Sequence, residues 1–207
     1  MQPVLITEQA VSNTQTDANA TIKPTCALGQ PLIMTNNISP MIDYRLAKTD
    51  ELAELKTFLF EHGTNPWNHL PPDGVDNEFR LIAEQQAHAF AAYVEGQLVG
   101  FTIFYLPQVL PDNYLQYTDS KPAIYIAEAV VHREFSGRGI GSCLLKNIIA
   151  LAPTLGARML LLDRHAENAA SAGMMRKAGF EELATFEDLS KRDYGNRCTT
   201  VLGYNFN

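Results

Sequence analysis

Gly137, Gly139 and Gly141 occupy alternate positions reached through His132–Ser136 from a strongly apolar run at 123–131, and an amphipathic stretch follows them to about residue 151. A buried strand, a glycine turn and a helix in that order form a device for binding phosphate. Glycine lets the main chain approach an anion and take positive φ without a Cβ clash. The unpaired N–H groups at the helix start point at the anion, with the helix dipole behind them. The plainer reading of the same residues is a tight strand-to-helix turn. Glu128 breaks the apolar run, and a carboxylate at a strand end can take a proton from an attacking nucleophile.

Phosphate-binding turns differ in their spacing. A Walker A loop ends in Gly-Lys-Ser/Thr, whereas Gly141-Ser142 has no lysine between its members. A Rossmann turn needs G-x-G-x-x-G, but the sixth position from Gly137 is Ser142 and from Gly139 is Leu144. Asp163, where a ribose-binding acid would lie, does not repair that spacing. A coenzyme A pyrophosphate loop fits. The run Glu128-Ala-Val-Val-His-Arg-Glu-Phe-Ser-Gly-Arg-Gly-Ile-Gly141, followed by Glu167-Asn168 and by Arg-Lys-Ala-Gly-Phe180, resembles the GNAT superfamily of N-acetyltransferases. The resemblance extends in element order over residues 41–190.

It implies acetyl-CoA as co-substrate, no metal, and acetyl transfer to a primary amine of a small molecule. Main-chain groups of Ala129, Val130 and Val131 would pair with the pantetheine arm like an added strand. Amides of Gly137, Arg138, Gly139, Ile140, Gly141 and Ser142 would hold the pyrophosphate, with Arg138 adding charge or simply solvated. Asn168 would bond the arm near the thioester. Glu128 would be the general base; the competing reading pairs it with a basic neighbour. The Val131 N–H would stabilise the developing oxyanion, and attack would be direct, without an acyl-enzyme. Two positions depart from the family pattern. Ser136 replaces the usual Gln or Arg, and Met175, seven residues after Asn168, replaces a tyrosine general acid. Methionine has no proton to give, so another group protonates the thiolate or it leaves unaided. Tyr194 is a remote candidate. A protein N-terminus or lysine is a second acceptor class. A non-catalytic acyl-CoA-binding sensor is the rival from a different class. The family also implies a homodimer.

His132 and His165 follow strand ends and read as satisfied or exposed side chains, Glu134 as a solvated loop acid, and Cys143 as buried packing. Acceptor recognition falls to 61–86 and 109–120, where Asp73, Asp76, Glu78, Trp67 and Tyr114 are positioned to cradle a cation. The plainer reading there puts Trp67 in the core and the acids in solvent.

These residues need a frame. The chain has 207 residues, 46% apolar and 19% charged, with net charge −7. That balance excludes wholesale disorder and argues against a general grip on nucleic acid or anionic lipid, while suiting a cationic partner. Three cysteines without C-x-x-C spacing give no disulfide framework or zinc site. With no secretory leader and no apolar run of membrane length, a cytoplasmic location is expected. Residues 1–40 hold only Glu8, Asp17 and Lys23 as charges and read as an extended or disordered arm with a short strand at 31–34. By the resemblance, residues 41–207 are expected to form the N-acetyltransferase domain. Strands are predicted at 42–46, 89–94, 98–106, 123–131, 159–162, 180–186 and 198–204. Helices are predicted behind an Asp50 cap and at 77–86, 140–151 and 167–178. The fold class is α/β: a single mixed, mostly antiparallel sheet with helices on both faces.

Overall fold

The computed structural model describes residues 41–206, so the predicted arm at 1–40, with its strand at 31–34, lies outside the described residues. The element order is β1 (Ile42–Leu46), α1 (Leu52–Phe58), α2 (Pro72–Ala83), β2 (Ala87–Val94), β3 (Gln97–Tyr105), β4 (Ala123–Val131), α3 (Ile140–Leu151), β5 (Met159–His165), α4 (Ala169–Ala178), β6 (Glu181–Glu187) and β7 (Cys198–Asn205). Among the described residues these strands form one sheet in the order β1-β2-β3-β4-β5-β7-β6. Every pairing is antiparallel except β4 with β5.

Two cores cover the two faces. Leu55, Phe58 and Leu59 from α1 and its continuation, with Val75 and Phe79 from α2, pack on Phe101, Ile103 and Tyr125. Ile140, Leu144, Leu145 and Ile148 at helical spacing on α3, with Met175 and Phe180, pack on Phe90, Ile124 and Leu160. Each fully buried aliphatic side chain contributes roughly 1.5–3 kcal/mol, so α3 is anchored from Ile140 to Ile148 and its first turn is held in place.

Three local predictions shift. The helix predicted at 77–86 spans Pro72–Ala83; Pro72 takes the first turn, where its missing N–H costs nothing. Asp50 does not cap α1 but lies in a 3-10 turn, Thr49–Glu51, that leads into it; Glu51 accepts from the Lys48 N–H at 2.7 Å, closing that turn while holding Arg45. Strands β2 and β3 meet at Glu95-Gly96, both at positive φ (51° and 81°), the left-handed pair that a two-residue hairpin favours.

Two irregularities in β4 shape the molecule. Its parallel ladder with β5 ends at Ile126↔Leu162, while β5 runs on against β7 to His165 and β4 runs on against β3 to Val131. The sheet therefore splays, and residues 127–131 have one open edge. The ladder with β3 also jumps from Ile103↔Glu128 to Phe104↔Ile126, a bulge that takes in Ala127. An extra residue flips the side-chain alternation. Tyr125 and Ala127 face the α1–α2 side, and after the bulge Glu128 and Val130 face that side too.

Candidate active site

A cleft of about 790 Å³ follows the splay, bounded by β4, the glycine loop, β5 and α4. Alternation of main-chain groups sets what β4 offers it. The His132 N–H bonds the Val99 carbonyl at 2.9 Å and the Val130 carbonyl faces Gly100. The groups of 130 and 132 thus point to β3, and the N–H groups of Ala129 and Val131 point to the open edge.

At the end of β4 a 3-10 turn, Arg133–Phe135, leads into the glycine loop. Gly137 (φ 76°) and Gly139 (φ 83°) supply the left-handed conformations that turn the chain into α3. Gly139 caps α3 without a side-chain hydrogen bond. Cys143 N–H bonds the Gly139 carbonyl at 3.0 Å, which leaves the amides of Ile140, Gly141 and Ser142 directed at the cleft. Gly141 serves packing: a Cβ there would collide with Met174 of α4. Ser142 Oγ donates to the Met174 carbonyl at 3.1 Å, so this residue offers only its N–H. Arg138 stands outside the cleft wall, its guanidinium 4.8 Å from the Phe135 ring.

On the opposite wall Asn168 caps α4. Its Oδ1 accepts from Ser171 N–H at 3.0 Å, and Nδ2 is the group that remains for a ligand. Met175 is buried at 4% exposure, its sulfur 3.7 Å from Ser171 Oγ. Tyr194 is exposed; its carbonyl meets His165 Nε2 at 2.8 Å and its ring lies against Trp67. His165 is buried, its Nδ1 accepting from Glu167 N–H at 3.1 Å. His132 Nδ1 accepts from Glu134 N–H at 3.2 Å, and its ring lies 4.0 Å from that of His62. Cys143 is buried. Trp67 is in neither core but in the cleft wall, against His165 and Tyr194.

Glu128 lies where the splay begins and accepts from Asn68 Nδ2 at 3.4 Å. Burial pushes its carboxyl up to about 7, against the pull of Asn68 and Lys191. Nearby, Asp163 is sequestered at 3% side-chain exposure. It accepts from Lys191 Nζ (2.7 Å), Arg192 Nη2 (2.5 Å), Tyr125 OH (2.7 Å) and Tyr114 OH. Burial alone would raise Asp163; the Lys191 charge and these donors outweigh it and hold the carboxyl below its ordinary range. Arg192 also donates to the Trp67 carbonyl at 3.3 Å, so the network joins the loops at 64–71, 106–122 and 188–197 beside the site. Sequence reasoning passed over this network because its members are far apart in the chain. Among the described residues no group of three or more His, Cys, Asp or Glu is arranged for a metal ion, and no helix is long and apolar enough to cross a membrane.

A mixed sheet that splays between two parallel strands, with a glycine-entered helix at the opening, defines an N-acetyltransferase fold. Residues 50–180 match the acetyltransferase (GNAT) family, and the chain belongs to it. YwnH of Bacillus subtilis (strain 168), a protein named for phosphinothricin acetylation, is 33% identical over 81 residues, 39% of this chain and 47% of that protein. The chain thus spans about half the length of this relative. Aminoglycoside N(6′)-acetyltransferase type 1 of Stenotrophomonas maltophilia is 27% identical over 130 residues, 63% of this chain and 78% of that one. Among solved structures, the ribosomal L7/L12 alpha-N-protein acetyltransferase RimL in complex with coenzyme A superposes with a TM-score of 0.61 at 15% identity, covering 82% of this chain and 96% of that chain.

Proposed function

We propose that the protein is an acetyl-CoA-dependent N-acetyltransferase acting on the primary amine of a small molecule by direct attack. The observation that carries this reading is the continuity of donors along the cleft. Open-edge amides of Ala129 and Val131 run into the uncapped amides of Ile140, Gly141 and Ser142, a strand-like track ending in an anion cradle. That arrangement suits a pantetheine arm followed by a pyrophosphate, and coenzyme A is the ligand of the RimL structure. Bound acetyl-CoA supplies an activated thioester carbonyl. Asn168 Nδ2 bonds the arm, and the Val131 N–H holds the carbonyl oxygen as charge develops there, a donor worth roughly 10²–10³ in rate.

Glu128 takes a proton from the acceptor's ammonium group and passes it to solvent. A carboxyl poised near 7 accepts and releases a proton at neutral pH. The freed nitrogen lone pair forms the C–N bond, the C–S bond breaks, and the sulfur leaves with the electron pair. The second nitrogen proton is lost to water and replaced on sulfur from water. A thiol near pKa 8.5 leaves without the tyrosine acid that Met175 replaces. Glu128 also lines a neighbouring pocket of about 590 Å³, which gives a small acceptor room beside the thioester.

A second reading, a non-catalytic acyl-CoA sensor, draws on Met175 alone. Thiol release from acetyl-CoA in the presence of an amine panel separates the two. Turnover lost in Glu128→Gln with coenzyme A binding intact supports the enzyme; tight binding with no turnover on any amine supports the sensor.

A further inference from the structure

The cavity beyond Glu128 lies under α2 and shares four wall residues with the cleft, His69, Ala127, Glu128 and Lys191. Val75, Phe79 and Ile82 form the apolar stripe by which α2 meets the sheet, and Glu78 stands within it, three residues after Val75 and four before Ile82. Its carboxylate is thereby carried into the cavity rather than into solvent. Asp73 and Asp76 of the same helix are exposed, and Asp76 pairs with Lys56. Glu78 Oε2 is buried with no hydrogen-bond partner, an arrangement that costs free energy unless a ligand donor meets it.

The charges around the cavity do not balance Glu78. Lys191 and Arg192 are both committed to Asp163. Asp188 is held by Ser190, Thr199 and the Lys191 N–H. Glu78 and Glu128 therefore oppose each other's ionisation, and at neutral pH the pair retains a proton that an incoming cation displaces. The Glu78 carboxyl is raised to about 8 by burial and then by Glu128, against the pull of the Lys191 charge and the Tyr105 hydroxyl. Tyr105, Tyr117 and Tyr125 add ring faces to the wall, a lining that suits a cation.

Resting on the acetyl-transfer reading above, we propose that Glu78 determines acceptor specificity: with Glu128 it forms a two-carboxylate seat for the acceptor's ammonium group at the inner end of the cleft. The selected acceptors are primary amines on cationic or neutral frames. An α-amino acid, which would bring its own carboxylate against Glu78, is disfavoured. Glu128 moves the proton, and Glu78 holds the ammonium before the reaction.

The test uses steady-state thiol release by wild type, Glu78→Gln and Glu78→Asp with 1,4-diaminobutane, kanamycin and alanine as acceptors. Coenzyme A binding to each variant is measured by calorimetry. The expected result is a KM for 1,4-diaminobutane and kanamycin at least tenfold higher in Glu78→Gln, with kcat within about threefold, partial recovery in Glu78→Asp, and unchanged coenzyme A affinity. Alanine is the poorest acceptor for wild type and loses least on the substitution. An unchanged KM in Glu78→Gln, or alanine as the preferred acceptor of wild type, overturns the proposal. If wild type binds coenzyme A but acetylates none of the three, the transfer reading falls and binding of 1,4-diaminobutane to the coenzyme A complex decides the role of Glu78. Binding weakened tenfold by Glu78→Gln upholds it; equal binding, or none to either protein, overturns it.

Discussion

Replacing Asp163 by asparagine keeps the shape of a side chain that is 3% exposed but removes the charge on which Tyr114, Tyr125, Lys191 and Arg192 converge. Removing one partner of a buried ion pair costs about 3–5 kcal/mol, because the other charge stays buried. The two cations differ in this respect. The Lys191 side chain is 36% exposed and can rehydrate, so its half of the network contributes little. Arg192 is 5% exposed and cannot. The expected loss is therefore at the lower end, about 3 kcal/mol, equivalent to roughly 6–12 °C in Tm for a chain of this size. Urea denaturation reads it as a lower midpoint at unchanged m. The pH dependence has a defined sign. The Asp163 carboxyl is depressed in the folded protein, so its contribution is present above the ordinary aspartate value and is lost as pH falls through the folded one. Wild type and variant thus differ most near neutral pH and converge on acidification. A loss under about 1 kcal/mol at pH 7, or a gap that does not close in acid, refutes the view that this buried charge binds the three loops together.

Other substitutions probe separate parts of the account. Gly139→Val forces a β-branched residue to φ 83° at the start of α3; it is expected to cost about 1–2 kcal/mol in stability and at least tenfold in coenzyme A affinity, read by calorimetry. Gly100→Ala brings a Cβ to 2.9 Å from the Val130 carbonyl, so β3 and β4 must part beside the bulge; thermal melting and turnover should fall together. Leu144→Ala empties a fully buried site in the α3 core and is expected to cost about 2–5 kcal/mol in urea melts with the coenzyme A affinity of the folded protein retained. Glu78 has a folded pKa raised to about 8, so the penalty of ionising it grows as pH rises from its unfolded value through 8. Glu78→Gln should therefore stabilise the protein at pH 9 relative to wild type and do so less at pH 5, as judged by paired thermal melts.

Much of this architecture was legible because it rests on local chemistry. The apolar run at 123–131 and the positive-φ glycines at 137 and 139 each encode their own conformation. What escaped was non-local. The bulge at Ala127 is written only in the mismatch of β4 against β3, yet it turns Glu128 toward the cavity. Two prolines and Gly74 masked the first turn of α2, so its apolar stripe was not traced back far enough to separate Glu78 from the solvated Asp73 and Asp76. Asp163 resembled a ribose acid by position, and its tyrosine, lysine and arginine partners lie 28 to 49 residues away in the chain.

The central claim, a carboxylate at the splay of β4 driving acetyl transfer from acetyl-CoA, is tested most directly by the pH profile of amine-dependent thiol release for wild type and Glu128→Gln. The account predicts a wild-type rate that rises through an apparent pKa near 7 as Glu128 ionises, and a variant slower by roughly 10²–10⁴ that lacks this inflection, with coenzyme A binding intact. Equal rates and superimposable profiles in the two proteins would contradict it.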